Sequence, residues 1–414
     1  VRRAARAPRC ERAAAARGRG VVSLRILEVL GYSCAGGAAE SVLELAAALG
    51  RDGFSVTLAA PDSAGFPARV AAAGARFVPV ALASRRDWRS FSTLVRLLRR
   101  ERFDVVHTHC RNADLYGGLA ARATGTPHVA HLRGLLVDGD GAVANGWVDR
   151  LHRTLLRRSA RRVVAISEAV RRRALALLGG APGRIVTVRN GVDVMRFRAP
   201  RRAAAEVRAE LAIPDGAPLL VAIGTLGRCK GQDVAIDALA RMANPSDRSR
   251  TAHLVLVGEG PDSGALVAQA HRLGIAGRVR FAGVRARDDV ADLLHAADLL
   301  VHAARWEGFG RVVAEAMAAG RPVVATRVGG LEEIVADGAT GILIEPERPD
   351  ALARAADELL ADRPRAQRLG RAAADFAARE LDVAATARGV ARVLREVVAP
   401  ARRGRALASA ETAP

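Results

Sequence analysis

Aromatic residues make up only 3% of this 414-residue chain. A sequence so poor in Phe, Tyr and Trp offers few side chains on which bases could stack, which argues against a nucleic-acid platform. Cysteines are also few. Cys10, Cys34, Cys110 and Cys229 are scattered without any C-x-x-C pair, so a disulfide framework or thiolate zinc site is not expected and a reducing cytoplasm fits. No apolar run approaches the roughly eighteen residues of a membrane span. The one stretch resembling a signal-peptide core, VVSLRILEVL, is interrupted by Arg25 and Glu28, so a signal peptide is not expected. Negative charge is in deficit: 43 Asp and Glu face 64 Lys and Arg, a net charge of +21. Two readings of that excess stand. A basic surface attracts phosphorylated ligands, anionic lipid or nucleic acid, and an Arg-rich composition spread over solvated helix faces gives the same sum.

What is present is a globular composition, half of it hydrophobic, long enough for two or three domains. Short β-rich runs alternate with amphipathic helical runs. LRILEVL (24–30), FSVTLAA (54–60), FDVVHTH (103–109), RRVVAIS (161–167) and RIVTV (184–188) are strand candidates in the first half, with helical patterns at 39–50, 88–101 and 168–178. A second series follows: APLLVAIG (217–224), HLVLVG (253–258), RVRFAG (278–283), DLLVHA (298–303), RPVVAT (321–326) and GILI (341–344). Such alternation predicts α/β domains with parallel sheets covered on both faces. The boundary falls near 195–216, where no strand candidate occurs. The expected layout is a basic tail over 1–20, an N-terminal Rossmann-like domain over 21–195, and a C-terminal one over 196–380. A helix over 381–398 packs back on the first domain, and 399–414 is a tail. Open α/β sheets bind ligands at the carboxyl ends of their strands, so the cleft between two such domains is the default site.

The densest motif is WEGFGRVVAEAM, residues 306–317. It reads as the loop after a strand followed by a helix that ends at Gly320. Gly308 and Gly310 let backbone approach a ligand closely, and the free N–H groups of the helix start favour an anion such as a diphosphate. Glu307 lies just outside that anion position and Glu315 one to two turns inside the helix.

The E-x7-E spacing within EGFGRVVAEAMAAGRPVVATRVGGLEEIVADGATGILI resembles the retaining glycosyltransferases of family 4, which have the GT-B fold of two Rossmann-like domains facing a cleft. GGAAESVLELAAAL, DVVHTHCRNADLYGGLAARATGTPHV, AISEAVRR, VRNGVD, LGRCKGQD and LVGEGP extend the resemblance over roughly residues 24–380. It implies roles for particular residues. Glu307 holds the donor hexose, the backbone from Gly308 through Phe309 to Gly310 holds sugar or phosphate, and Glu315 grips the ribose. Lys230 neutralises the diphosphate, and Gly36 and Gly37 bring N-terminal backbone close to it. His109 faces the transferred sugar, Gly258, Gly260 and Val284 border the nucleobase, and Asn190 and Asp193 lie near the hinge. Arg133 in HLRG stands where family members often have His, which makes it an acceptor contact or a strand-end charge.

Three departures from the family pattern stand out. Thr225 occupies the arginine position before Lys230, with Arg228 as the candidate substitute. Ala39, not Glu40, takes the acidic position of the first loop, and Ala303-Ala304 replaces a Pro-Ser pair. No metal is expected, because His107 and His109 share a strand face without an evident third ligand and no D-x-D pair occurs. The implied activity is transfer of a sugar from a nucleoside-diphosphate donor to a glycan or lipid-linked acceptor in cell-envelope polysaccharide, lipopolysaccharide or glycolipid synthesis. It would take place in the cytoplasm or on the inner face of the membrane, without a cofactor. Acceptor contacts are expected on the loops 62–67, 84–90 and 133–147, and the Arg-rich runs 84–102 and 150–162 suggest contact with anionic membrane. The alternatives are a nucleotide-sugar epimerase on the same fold, a phosphorylase (for which no pyridoxal lysine is evident), and a basic nucleic-acid-binding protein.

Overall fold

The computed structural model describes residues 23–31, 37–82, 87–134, 146–179, 183–242 and 251–411. Two parallel sheets organise them. The first holds β1 (Arg25–Leu30), β2 (Ser55–Ala60), β3 (Arg76–Pro79), β4 (Val105–His109), β5 (His128–Leu132), β6 (Arg162–Ala165) and β7 (Ile185–Thr187). The second holds β8 (Leu219–Ile223), β9 (His253–Val257), β10 (Val279–Phe281), β11 (Leu299–His302), β12 (Val323–Thr326) and β13 (Ile342–Ile344). Their orders are β3-β2-β1-β4-β5-β6-β7 and β10-β9-β8-β11-β12-β13. Central strands such as LLVAI and HLVLV are near-continuous apolar runs because helices cover both faces.

Each sheet reverses its winding once, between β1 and β4 and between β8 and β11. A crevice opens at such a point beyond the strands' carboxyl ends. The loops after β8 and β11 and the start of the Gly37–Arg51 helix therefore meet at one cleft.

Two strands had no sequence candidate. β3 is the short, partly exposed RFVP at a sheet edge, and β5 is HVAHL, whose two histidines interrupt its apolar character although every residue is buried. The final helix, Val383–Glu411, runs on past residue 399, where a tail was expected. Its last turns are Ala- and Arg-rich, a composition of high helix propensity that outweighs the internal Pro400. The chain reaches this helix by crossing back to the first domain: Val192 N donates to Leu381 O at 2.8 Å, and Val383 N to Val192 O at 3.0 Å. Ala387, Val390, Leu394 and Val397 then join Ile26, Leu30 and the Gly37–Arg51 helix in one core. No helix among the described residues is long and apolar enough to cross a membrane. The expected 1–20 tail lies outside the described residues.

Candidate functional site

The loop between β11 and the Arg311–Ala318 helix is built around Glu307. Its Oε2 accepts from Lys230 Nζ at 2.6 Å and lies 3.1 Å from His302 Nε2, while Oε1 accepts from Gly308 N at 3.1 Å. Burial pushes the Glu307 pKa up, but Lys230 and His302 outweigh it and hold the carboxyl well below its usual range. Burial likewise opposes the charge on Lys230, and Glu307 more than restores it, so the ammonium titrates above its ordinary value. The loop is backed by Gly330, whose N donates to Glu307 O at 3.0 Å. A Cβ on Gly330 would fall 2.4 Å from Gly308 O and 2.6 Å from Phe309 Cα, so only glycine permits this approach. Gly310 supplies the left-handed turn, φ 93°, that starts the helix.

Glu315 sits where the motif placed it, but it is not simply open to a ligand. Its side chain is 2% exposed, Oε1 accepts from Arg287 Nη2 at 2.5 Å, and Arg311 Nε lies 2.8 Å away. Arg311 also crosses the cleft, donating to Ser41 Oγ at 2.7 Å and Glu44 Oε1 at 2.6 Å on the Gly37–Arg51 helix. A second bridge joins the domains: Glu333 accepts from the N–H groups of Glu168 and Ala169, at 2.9 and 2.7 Å. This caps the start of the Glu168–Leu178 helix.

These groups line a cavity of about 340 Å³ that holds Lys230, Glu307, Phe309, Gly310 and Glu315 together with Gly37 and Arg133 from the first domain. Among the described residues its charged lining is four cations, Arg133, Lys230, Arg287 and Arg311, against the two carboxylates of Glu307 and Glu315. A neighbouring cavity of about 620 Å³ is bordered by Gly258 and by Val284, which is 55% exposed.

Several expected residues stand elsewhere. Arg228 is exposed in a 3-10 turn and lines neither cavity. Gly260 serves packing: a Cβ there would meet Leu226 O at 2.1 Å. Gly308 is outside the cavity lining, its carbonyl accepting from Ser167 Oγ at 2.7 Å. Asn190 does line the first cavity, donating to Ser41 Oγ at 3.3 Å at the domain junction, whereas Asp193 caps the short Val194–Phe197 helix. Gly36 lies outside the described residues, as do parts of the expected acceptor loops.

His109 is the largest correction. It is fully buried and does not reach the cavity, because Arg133 stands between them and donates from Nε to His109 Nδ1 at 3.1 Å. A third imidazole is also present. His131 on β5 stacks beside His107 and His109, with candidate ligand nitrogens within 4.8 Å of one another. The expectation that no third candidate ligand stands near that pair is therefore revised. The cluster is nonetheless a poor cation site. Both His109 nitrogens are engaged, by Arg133 and by Glu28 Oε2 at 2.6 Å, and a fixed guanidinium charge sits against the would-be ligand.

Arg287 and Arg311 were not identified from the sequence as site residues. Arg311 carried a signal, since it is the first helical residue after the glycine turn of the principal motif. Arg287 carried none; it opens a helix 28 positions before Glu315, and only the fold brings them together.

Comparison with known proteins finds the family model for glycosyl transferases group 1 over residues 204–376 and that for glycosyltransferase family 4 over 35–196. The D-inositol 3-phosphate glycosyltransferase 2 of Catenulispora acidiphila is 33% identical over 288 residues, 67% of each chain. The D-inositol 3-phosphate glycosyltransferase of Nocardia farcinica is 34% identical over 288 residues, 67% of this chain and 63% of its own. Among solved structures, Anabaena HepE in complex with UDP-glucose superposes with a TM-score of 0.79 at 25% identity, covering 90% of this chain and all of HepE. WaaG, a glycosyltransferase involved in lipopolysaccharide biosynthesis, gives 0.69 at 21% identity, covering 90% of this chain and 99% of its own.

Proposed function

This chain belongs to the family 4 glycosyltransferases of GT-B type, and from that premise we propose that it transfers a sugar from a nucleoside-diphosphate donor to a glycan or lipid-linked acceptor with retained anomeric configuration. One observation carries the reading: Glu307, in the loop after β11, is paired with Lys230, just before the Gln232–Arg241 helix, inside a cleft whose described lining has two more cations than carboxylates. That surplus matches the charge of a diphosphate. Uridine is the first base to test, since HepE is described with UDP-glucose.

In this mechanism the leaving diphosphate develops charge against Lys230 and the N–H groups at the start of the Arg311–Ala318 helix. Electrostatics of this preorganised kind is usually the largest catalytic term. The leaving phosphate oxygen takes the acceptor proton on the face it departs from, so no side chain forms a covalent intermediate. The Arg311–Glu44 and Glu333 contacts close the domains over the reacting groups and exclude water. Side chains already supply the positive charge at the phosphate position, so transfer proceeds without a divalent ion; activity lost to EDTA and restored by magnesium would contradict this.

A thermal-shift panel of nucleotide-sugars tests the donor. A ligand at one hundred times its dissociation constant adds roughly 2.7 kcal/mol of stability. NMR of the product anomer tests retention. If no nucleotide-sugar stabilises or is turned over, the reading fails.

For the acceptor, we place the enzyme in cell-envelope glycan or glycolipid synthesis at the cytoplasmic face of the membrane. Supporting this, the Trp88–Glu101 helix exposes Trp88 together with Arg96, Arg99 and Arg100, and Arg stems can lie along lipid while their charges meet headgroups. Flotation with anionic and neutral vesicles at low salt decides it, equal binding counting against membrane contact. A second acceptor class, a small phosphorylated polyol, is favoured by the names of the 33–34% identical relatives. Transfer assays with inositol phosphate against lipid-linked acceptors separate the two.

A further inference from the structure

Glu28 is an expensive residue for its position. It sits mid-strand in RILEVL with its side chain wholly buried, where an apolar residue would pack without desolvating a charge. The sheet register shows what surrounds it. β1 pairs with β4 so that Glu28 lies opposite His107, and β4 with β5 so that His109 lies opposite His131. Alternation along the strands puts all four on one face, and Arg133, two positions past His131, continues the same alternation at the end of β5.

Arg133 sets the direction of the hydrogen bonds. A guanidinium Nε can only donate, so His109 Nδ1 is its acceptor at 3.1 Å. A neutral imidazole then carries its proton on Nε2, which donates to Glu28 Oε2 at 2.6 Å. Burial, reinforced by His107 and Arg133, lowers the His109 pKa to about 3, so the ring is neutral at physiological pH. The other Glu28 oxygen lies 3.0 Å from His107 Nδ1.

We propose that Arg133 is a substrate-facing cation of the first domain, meeting a phosphate group of the donor or the acceptor, and that Glu28 and His109 are positioning residues that fix its guanidinium in the cleft. The inference rests on the nucleotide-sugar reading for the source of that phosphate. Arg133 lines the cavity with Lys230 and Glu307, and its carbonyl lies 3.5 Å from where a Cβ on Gly308 would stand, so it borders the donor loop directly. Its Nε edge is held from behind by His109. A lysine has no such second edge, and could serve either the buried chain or the ligand but not both.

The test has two readouts. In 15N NMR of the full chain, His109 shows an unprotonated Nδ1 and a protonated Nε2 at neutral pH; the opposite tautomer overturns the chain whatever ligand binds. The second readout is the affinity for inorganic pyrophosphate, and for an inositol monophosphate in the presence of UDP, in wild type, Arg133→Lys, Arg133→Ala, Glu28→Gln and the Glu28→Gln/Arg133→Ala double variant. Arg133→Ala weakens one probe by roughly 10–100-fold, the worth of a charge-assisted hydrogen bond, and the probe affected identifies the donor or acceptor source. Arg133→Lys recovers only part of that loss. Glu28→Gln weakens the same probe, but only while Arg133 is present, a coupling that a general packing defect does not produce. Additive losses overturn the inference; so does wild-type affinity in Arg133→Lys, an outcome that does not need Glu28→Gln to fold. Equal UDP-glucose stabilisation in every variant, with both phosphate probes unaffected, keeps the glycosyltransferase reading and sinks this one. A wild type blind to UDP-glucose that still loses pyrophosphate affinity on Arg133→Ala does the reverse.

Discussion

Replacing Glu307 by glutamine separates the two jobs of the Lys230–Glu307 pair. The ammonium stands 2.6 Å from Glu307 Oε2, so without donor its charge is already matched. An incoming diphosphate must share Lys230 with that carboxylate and is also repelled by it. Glu307→Gln keeps the shape and removes the charge, raising the cation excess of the described lining from two to three. A unit charge on the order of 8 Å from a phosphate, at an effective dielectric of about 20, amounts to about 2 kcal/mol. Screening at the open side of the cleft reduces this to roughly 1–2 kcal/mol, about 5–30-fold in affinity. The expected result is that UDP binds more tightly to Glu307→Gln than to wild type, while sugar transfer slows because the hexose loses its carboxylate. Calorimetric titration of UDP into both proteins measures the first effect and steady-state UDP release the second. Unchanged or weaker UDP binding in a folded variant would refute the idea that Glu307 restrains Lys230 in the empty site.

Lys230→Ala should slow transfer by roughly 10²–10³-fold, as for loss of a group that stabilises developing charge, whereas Arg228→Ala should leave donor turnover near wild type because Arg228 is exposed outside both cavities; equal losses in the two variants would misplace the phosphate site. Arg311→Met removes a 10%-exposed guanidinium and leaves Glu44 without that partner, so it should lower stability by about 3–5 kcal/mol and loosen the domains, read as a lower melting temperature and a larger radius in small-angle scattering. Gly330→Ala should disorder the Glu307 loop and abolish donor binding, since its Cβ would lie 2.4 Å from Gly308 O; normal UDP-glucose affinity would show that the loop adapts. On acidification, Glu28 and Glu307 have folded-state pKa values below the ordinary value of 4.5. The stability they contribute is complete above that pH and lost as pH falls towards the folded values, so wild type should destabilise more steeply below about pH 4 than Glu307→Gln, followed by melting temperature against pH.

The sequence by itself determined the architecture and the donor loop. Apolar runs such as LLVAI and HLVLV separated by helical periodicity specify parallel, doubly covered strands, because hydrophobic period and burial are local properties of the chain. The glycine-flanked Glu307 and the helix after it were legible for the same reason: strand, turn and helix start are contiguous in sequence. Strand register and domain closure were not local, and they decided the rest. Register placed Glu28 against His107 and His109, which turned His109 from a sugar-facing group into a buried link behind Arg133. The fold brought Arg287 to Glu315 across 28 positions, and closure brought Glu44 to Arg311 across 267. Such contacts are set by where whole elements pack. Only the tertiary structure could therefore show that Arg228, close in sequence to Lys230, is exposed outside both cavities, while Arg287 and Arg311 line the first.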